Sequence, residues 1–297
     1  MRGRVCCFAT LAAILLASSA RAQEKKPFEQ KSFDSKGVKI SYLDHGKGEV
    51  VVLLHGFSAS IGMMWDLDLR PELTKGFRVV APALRGHGRS GKPADAKDYG
   101  ADLAEDVVRL LDHLKVEKAH VVGYSMGSSV AGKLLASHPD RLLSVTFGGG
   151  GPLFRPSKAF TEAFEAAAES LEQGKGAGPL LIAFTPDDQP KPSPERAAAI
   201  TKLGLAGKDQ KVLAAVIRGH LKGLVVTEDQ LKANKVPVLF VYGSRETILK
   251  SIITESQKAL PAATVTVKVV EKGDHPGTLA SPEFREAVLE FLRKPRK

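Results

Sequence analysis

The 297-residue chain has only two cysteines, and both, Cys6 and Cys7, stand within its first seven positions. Thiol nucleophiles, thiolate metal sites and disulfides are therefore excluded from everything downstream. Aromatic residues are scarce at 6%, and no tract interleaves them with basic residues as single-strand nucleic-acid binding would favour. No apolar run reaches the roughly 20 residues that a membrane-spanning helix needs.

Acidic residues are absent before Gln23, and that stretch has the order of an export signal. Arg2 and Arg4 make a positive start, residues 5–17 are apolar, and Ala20-Arg21-Ala22 fits a small-x-small cleavage site. The pattern predicts a signal peptide over 1–22 and a periplasmic or secreted protein, with no stable membrane insertion after cleavage. Loss of three arginines lowers the formal charge from +10 to +7. The remaining lysines are scattered, often beside acidic residues, and read as solvated surface rather than a nucleic-acid footprint.

At 43% hydrophobic and 26% charged, the sequence has the material for a large soluble core. Short β-rich runs at 38–43, 50–54, 77–81, 119–123, 142–147, 236–242 and 264–270 are mostly too apolar to have a wet face. They suit a mostly parallel central sheet covered on both sides. Helical spacing recurs between them, in Leu103, Val107, Leu110, Leu111 and Leu114, and again in Phe284, Val288, Phe291 and Leu292. Ser281 and Pro282 are placed as cap and first-turn residues of that last helix. Between 152 and 235 helical signals appear without strands, which predicts a helical cap or lid splitting the core into 23–151 and 236–297.

Gly123-Tyr124-Ser125-Met126-Gly127 is a G-x-S-x-G pentapeptide between an apolar strand and a helical run. That context presents a serine hydroxyl on a sharp turn at the carboxyl end of a sheet. A serine needs a base to take its proton. Of eight histidines, His275 alone follows the final strand and precedes the final helix, in Gly273-Asp274-His275-Pro276-Gly277. His55 and His87 lie in Gly-flanked loops, where they are placed to orient backbone. A carboxylate should fix the tautomer of the base. Glu246 follows the strand at 236–242 and gives the chain order Ser, acid, His, with a surface ion pair to Arg245 as its competing role. The amides of Met126 and Phe57 are candidate oxyanion donors.

His55-Gly56-Phe57, Trp65, Arg85-Gly86-His87-Gly88-Arg89-Ser90, the pentapeptide, residues 237–246 and Gly273-Asp274-His275 resemble, in order and spacing, the α/β-hydrolase superfamily of esterase, lipase and perhydrolase-like enzymes. The resemblance spans about residues 38–292. It implies Ser125 as nucleophile, Glu246 as acid, His275 as base and the Phe57 and Met126 amides as oxyanion hole, with no metal or organic cofactor. Members that open epoxides or dehalogenate carry Asp at the nucleophile position, so Ser125 argues against those chemistries. Two departures stand out. Glu246 occupies a position more often Asp, and Ala83 stands where Asp is common, outside the triad.

The resulting expectation is a serine hydrolase that cleaves small carboxylic esters through an acyl-enzyme. Carbon–carbon hydrolysis, cofactor-free perhydrolysis and non-catalytic ligand binding on the same fold are the alternatives. Phe154, Phe160, Phe164 and Phe184 in the insertion suit either an apolar substrate pocket or the packing of lid onto sheet.

Overall fold

The computed structural model describes residues 30–66 and 69–294. The expected signal segment at 1–22, with Cys6 and Cys7, lies outside the described residues. Eight strands form one sheet: β1 (Lys31–Ser35), β2 (Val38–His45), β3 (Val50–Leu54), β4 (Arg78–Pro82), β5 (Ala119–Tyr124), β6 (Leu142–Gly148), β7 (Val238–Gly243) and β8 (Val265–Val270). Their spatial order is β1-β2-β4-β3-β5-β6-β7-β8. The β1–β2 and β2–β4 pairs are antiparallel, and every pair from β4 to β8 is parallel.

The centre of the sheet is covered on both faces, which explains the continuous apolar runs there. Every residue of β3 and β5 is buried. Alternation along β3 sends Val52 and Leu54 into one core and Val51 and Leu53 into the other. Twelve helices are described: α1 (Ile61–Trp65), α2 (Leu69–Leu73), α3 (Asp102–His113), α4 (Met126–Ser137), α5 (Lys158–Glu172), α6 (Gly178–Phe184), α7 (Pro194–Gly204), α8 (Gln210–Gly223), α9 (Glu228–Lys232), α10 (Lys250–Ala259), α11 (His275–Leu279) and α12 (Pro282–Arg293). Helices α3, α4 and α10 line the first core, while α1, α2 and α12 line the second.

Helices α5 to α9 lie between β6 and β7 and form a helical cap. Phe160, Phe164, Ala167, Ala168 and Leu171 give α5 its buried stripe. Helix α12 starts as its sequence predicts, with Ser281 Oγ accepting from the Phe284 amide. Strand β1 is an addition to the expected set. Its sequence, Lys-Ser-Phe-Asp-Ser, buries only Phe33 and Ser35. Tertiary pairing with β2 makes it a strand, across a two-residue turn in which Lys36 (φ 52°) and Gly37 (φ 83°) are both left-handed.

A buried ion pair fastens the loop after β4 to α3. Arg85 Nε and Nη2 each lie 2.7 Å from an Asp106 oxygen, and Arg85 Nη1 donates to the Asp98 carbonyl. Both side chains are 3% exposed. Asp106 also accepts from Arg109 Nη2 at 3.1 Å and Ser35 Oγ at 2.6 Å, whereas without Asp106 the buried Arg85 would keep only Asp102, 3.8 Å away, as a carboxylate partner. Asp106→Ala is expected to lower the unfolding free energy by about 3–5 kcal/mol, measured by chemical denaturation. A loss under about 1 kcal/mol would show that water reaches this pair.

Candidate active site

Ser125 lies between β5 and α4 with φ 55° and ψ −117°, a backbone region that L-residues rarely adopt. Two glycines make this turn possible. A Cβ on Gly123 would fall 2.2 Å from the Gly127 carbonyl oxygen, and one on Gly127 would fall 2.1 Å from the Leu54 oxygen. Any side chain at either position would thus push the helix off the sheet. The Ser125 amide donates to the Gly148 carbonyl, and Ser128 Oγ donates to the carbonyls of Gly123 and Gly148. Ser125 is held at the carboxyl end of the sheet with its flank open.

Glu246 and His275 arrive on the loops after β7 and β8. Those loops are stitched together: the Ser244 amide donates to the Val270 carbonyl, Arg245 to Gly273, and Lys272 to Ser244 Oγ. The Glu246 carboxylate is fully buried, and both its oxygens lie 3.1 Å from His275 Nδ1. Glu246 does not form the alternative ion pair with Arg245, because Arg245 binds Asp188 of the cap. His275 is the first residue of α11 rather than part of an open loop. Asp274 caps that helix by accepting from the Gly277 amide, so it faces away from the imidazole's partner.

The structure brings Ser125 and His275 to one cavity, without a direct hydrogen bond between them. Such contacts commonly tighten when substrate fills the gap. Tyr124, which the sequence reading passed over, also steers His275. Its hydroxyl donates to the His275 carbonyl at 2.5 Å, and its ring rests against Gly148 and Gly149, where Cβ atoms would fall within 2.7 Å of it.

The loop after β3 carries Phe57 beside Ser125. Among the described residues, neither the Phe57 nor the Met126 amide donates to another protein group, which leaves both free for a ligand oxygen. Two buried histidines fix this loop. His55 Nδ1 donates to the Gly56 carbonyl at 2.8 Å, while Nε2 accepts from the Leu84 amide at 3.0 Å. His87 Nδ1 donates to the Arg85 carbonyl at 3.1 Å, and Nε2 accepts from the Ser58 amide at 3.1 Å. Each imidazole must be neutral to accept at Nε2. Desolvation pushes His55 down to about 4, and desolvation with the nearby His55 pushes His87 down to about 3. Ala83, the departure noted above, is buried; its amide donates to the Ser41 carbonyl and its own carbonyl accepts from Ser90 Oγ.

The cavity has a volume of about 460 Å³ and a mostly apolar wall. Met64 and Leu279 come from the core, and Phe164, Leu180, Phe184 and Leu205 from the cap. Phe184 stacks on the His275 ring at 4.5 Å. Phe154 and Phe160 are buried and do not line the cavity, so the four cap phenylalanines divide between lining and packing. His220 on α8 also lines it, kept neutral by burial, which lowers it to about 4. No group of three or more His, Cys, Asp or Glu side chains among the described residues is placed to hold a metal ion. No described helix is long and apolar enough to cross a membrane.

The neutral histidines make stability depend on pH. In the unfolded chain an imidazole protonates near 6.5, but folded His87 does so only near 3. Unfolding therefore takes up protons between those limits; stability is full above about pH 6.5 and falls as pH drops through the window. His87→Gln, which keeps an acceptor for the Ser58 amide, is expected to flatten that acid limb in denaturation curves recorded from pH 7 to pH 4. An unchanged slope would show that His87 titrates normally in the folded state.

Comparison with known proteins agrees with this architecture. The family described as alpha/beta hydrolase fold matches residues 49–177. A dihydrolipoyllysine-residue acetyltransferase component of an acetoin cleaving system, from Cupriavidus necator, is 32% identical over 242 residues, covering 79% of this chain and 61% of that protein. Epoxide hydrolase B of Mycobacterium tuberculosis is 40% identical over 122 residues, covering 39% of this chain and 34% of its own. The chain thus spans less than two thirds of the length of these curated relatives. Among solved structures, Est816, described as an N-acyl homoserine lactone degrading enzyme, superposes with a TM-score of 0.70 at 27% identity, covering 88% of this chain and all of the other. Sheet order, serine elbow, cap insertion and these likenesses agree: the chain has the alpha/beta hydrolase fold.

Proposed function

We propose that the protein is a serine hydrolase that cleaves carboxylic esters through an acyl-enzyme. The observation that carries this reading is the fully buried Glu246 carboxylate bonded to His275 Nδ1, with that imidazole lining the same cavity as Ser125. A buried carboxylate on Nδ1 fixes the tautomer that leaves Nε2 as the proton acceptor and stabilises the imidazolium that follows. Ser125 Oγ attacks the ester carbonyl carbon as its proton passes to His275 Nε2. The carbonyl oxygen becomes the oxyanion and is met by the Phe57 and Met126 amides, the latter at the start of α4 where negative charge is favoured. His275 returns the proton to the departing alcohol. Water, deprotonated by the same imidazole, then releases the acid.

The apolar cavity supports substrates with a hydrocarbon acyl group of moderate size. Relatives named as epoxide hydrolases match over 39–46% of the chain, yet position 125 is serine, and a serine hydroxyl paired with a histidine base favours acyl chemistry. Export to a periplasm-like space, or beyond, belongs to the same proposal and is supported by the sequence pattern of residues 1–22.

Ser125→Ala and His275→Ala are each expected to lower p-nitrophenyl ester turnover by more than about 10⁴-fold. Glu246→Gln is expected to lower it by up to about 10⁴-fold with little change in KM. The folded state of each variant is checked by circular dichroism. Full turnover in the first two variants would defeat the assignment. Across a series of straight-chain p-nitrophenyl esters, kcat/KM should rise with acyl length until the cavity is filled and then fall. A flat profile would show that the acyl group lies elsewhere.

A further inference from the structure

We infer that Lys208 is a positioning residue through which the cap holds the oxyanion loop in its donor geometry; this rests on the acyl-transfer reading above. Lys208 lies in the turn between α7 and α8, and its Nζ donates to the Ser58 carbonyl at 2.6 Å, across 150 residues of sequence. The side chain crosses from the cap to the core at the cavity's edge: Ser58 and Ala59 line the cavity from below, and Gly204 and Leu205 from above.

Three anchors fix the peptide planes around Phe57. The Gly56 carbonyl, which shares its peptide with the Phe57 amide, accepts from His55 Nδ1 and from the Ala59 amide. The Ser58 amide is bound by His87 Nε2. The Ser58 carbonyl is bound by Lys208. The first two anchors belong to the core and are in place whatever the cap does. Only the third comes from the cap. Ser58 itself has φ 54°, a left-handed conformation uncommon for a residue with a side chain. The Ser58 carbonyl shares its peptide with the Ala59 amide, which itself donates to the Gly56 carbonyl, so releasing it loosens one of the two bonds that orient the peptide carrying the Phe57 amide.

Lys208 is also unusual electrostatically. Among the described residues, no carboxylate lies within ion-pair distance of it, so its hydrogen bond goes to a neutral oxygen. Burial lowers its affinity for a proton, and its positive charge in turn depresses both His55 and His87, so it acts at short range on the loop's other two anchors. An uncompensated cation beside the loop favours negative charge developing on the substrate oxygen. A simple strut between cap and core would not need that charge.

The test compares the full-length wild type with Lys208→Met and Lys208→Arg, using p-nitrophenyl butyrate kinetics, hydrogen exchange over residues 55–59 and thermal midpoints. Lys208→Met keeps the apolar stem and loses donor and charge. Its kcat should fall about tenfold to hundredfold while KM changes by no more than about twofold, and exchange at residues 57–58 should quicken. Lys208→Arg should recover most of kcat. Unchanged kcat with a lower thermal midpoint, or a rise in KM alone, would overturn the proposal in favour of a strut. A wild type without esterase activity would defeat the ester reading, and the exchange comparison would still decide whether Lys208 holds the loop. Should Lys208→Met fail to fold, Lys208→Gln, a donor without charge, is read the same way and should fall between the wild type and a loss of both.

Discussion

The backbone crossing at the Ser125 turn is the constraint on which the rest of the molecule depends. Gly127 passes so close to Leu54, and Gly123 to Gly127, that no Cβ fits at either glycine. Strand β5, its neighbour β3 and helix α4 therefore meet at main-chain distance rather than through side chains. That closeness forces Ser125 into a conformation costing about 1–3 kcal/mol. The cost is offset by hydrogen bonds from Ser125 and Ser128 to β5 and β6, and by the surrounding cores. Strain at the serine and tight packing of the sheet are thus one feature, since relaxing the first would separate the second.

From that fixed point the parallel sheet assembles the remaining chemistry. Strands β3, β5, β7 and β8 run the same way, so the loops that follow them all emerge at one edge. Phe57 leaves β3, Ser125 leaves β5, Glu246 leaves β7 and His275 leaves β8. Neighbouring loops are then tied to each other directly. Ser244 and Arg245 bond to the β8 exit, and Tyr124 reaches from beside the serine to the His275 carbonyl. The cap adds its own restraints at this edge, through Phe184 on the imidazole, Asp188 on Arg245 and the Ala183 carbonyl on Thr247.

Much of this was legible in the sequence, and the exceptions share a cause. Continuous apolar runs located β3 within its observed limits and the other core strands within two residues, because burial on both faces leaves no polar alternation to confuse them. Strand β1 was missed because its five residues carry little apolar surface and owe their conformation to β2. The order of serine, acid and histidine followed from strand order. Whether Glu246 would face Arg245 or His275 did not, since adjacent residues on a loop point where tertiary contacts send them. Tyr124, Lys208 and His220 left no local signal: each matters through a contact 55 or more residues away. Helical spacing in the insertion marked Phe160 and Phe164 as facing inward, yet it could not separate the one that packs from the one that lines the cavity.

The distribution of charge around the cavity fits the direction in which electrons move in the proposed reaction. On the oxyanion side stand Lys208 and two imidazoles, His55 and His87, held neutral by burial with ring centroids 5.0 Å apart. Protonating either would sever an acceptor bond from the Leu84 or Ser58 amide and set a second positive charge beside Lys208, so the loop's geometry and its neutrality are maintained together. On the opposite side the buried Glu246 carboxylate faces the imidazole that becomes positive. Beside a cavity with a mostly apolar wall these charges are screened less than they would be in water. The site is thereby polarised before substrate arrives, with positive potential where the carbonyl oxygen gains charge and negative potential where the proton goes. Little reorganisation is then left for the step itself, and that preorganisation is what a folded scaffold supplies and water does not.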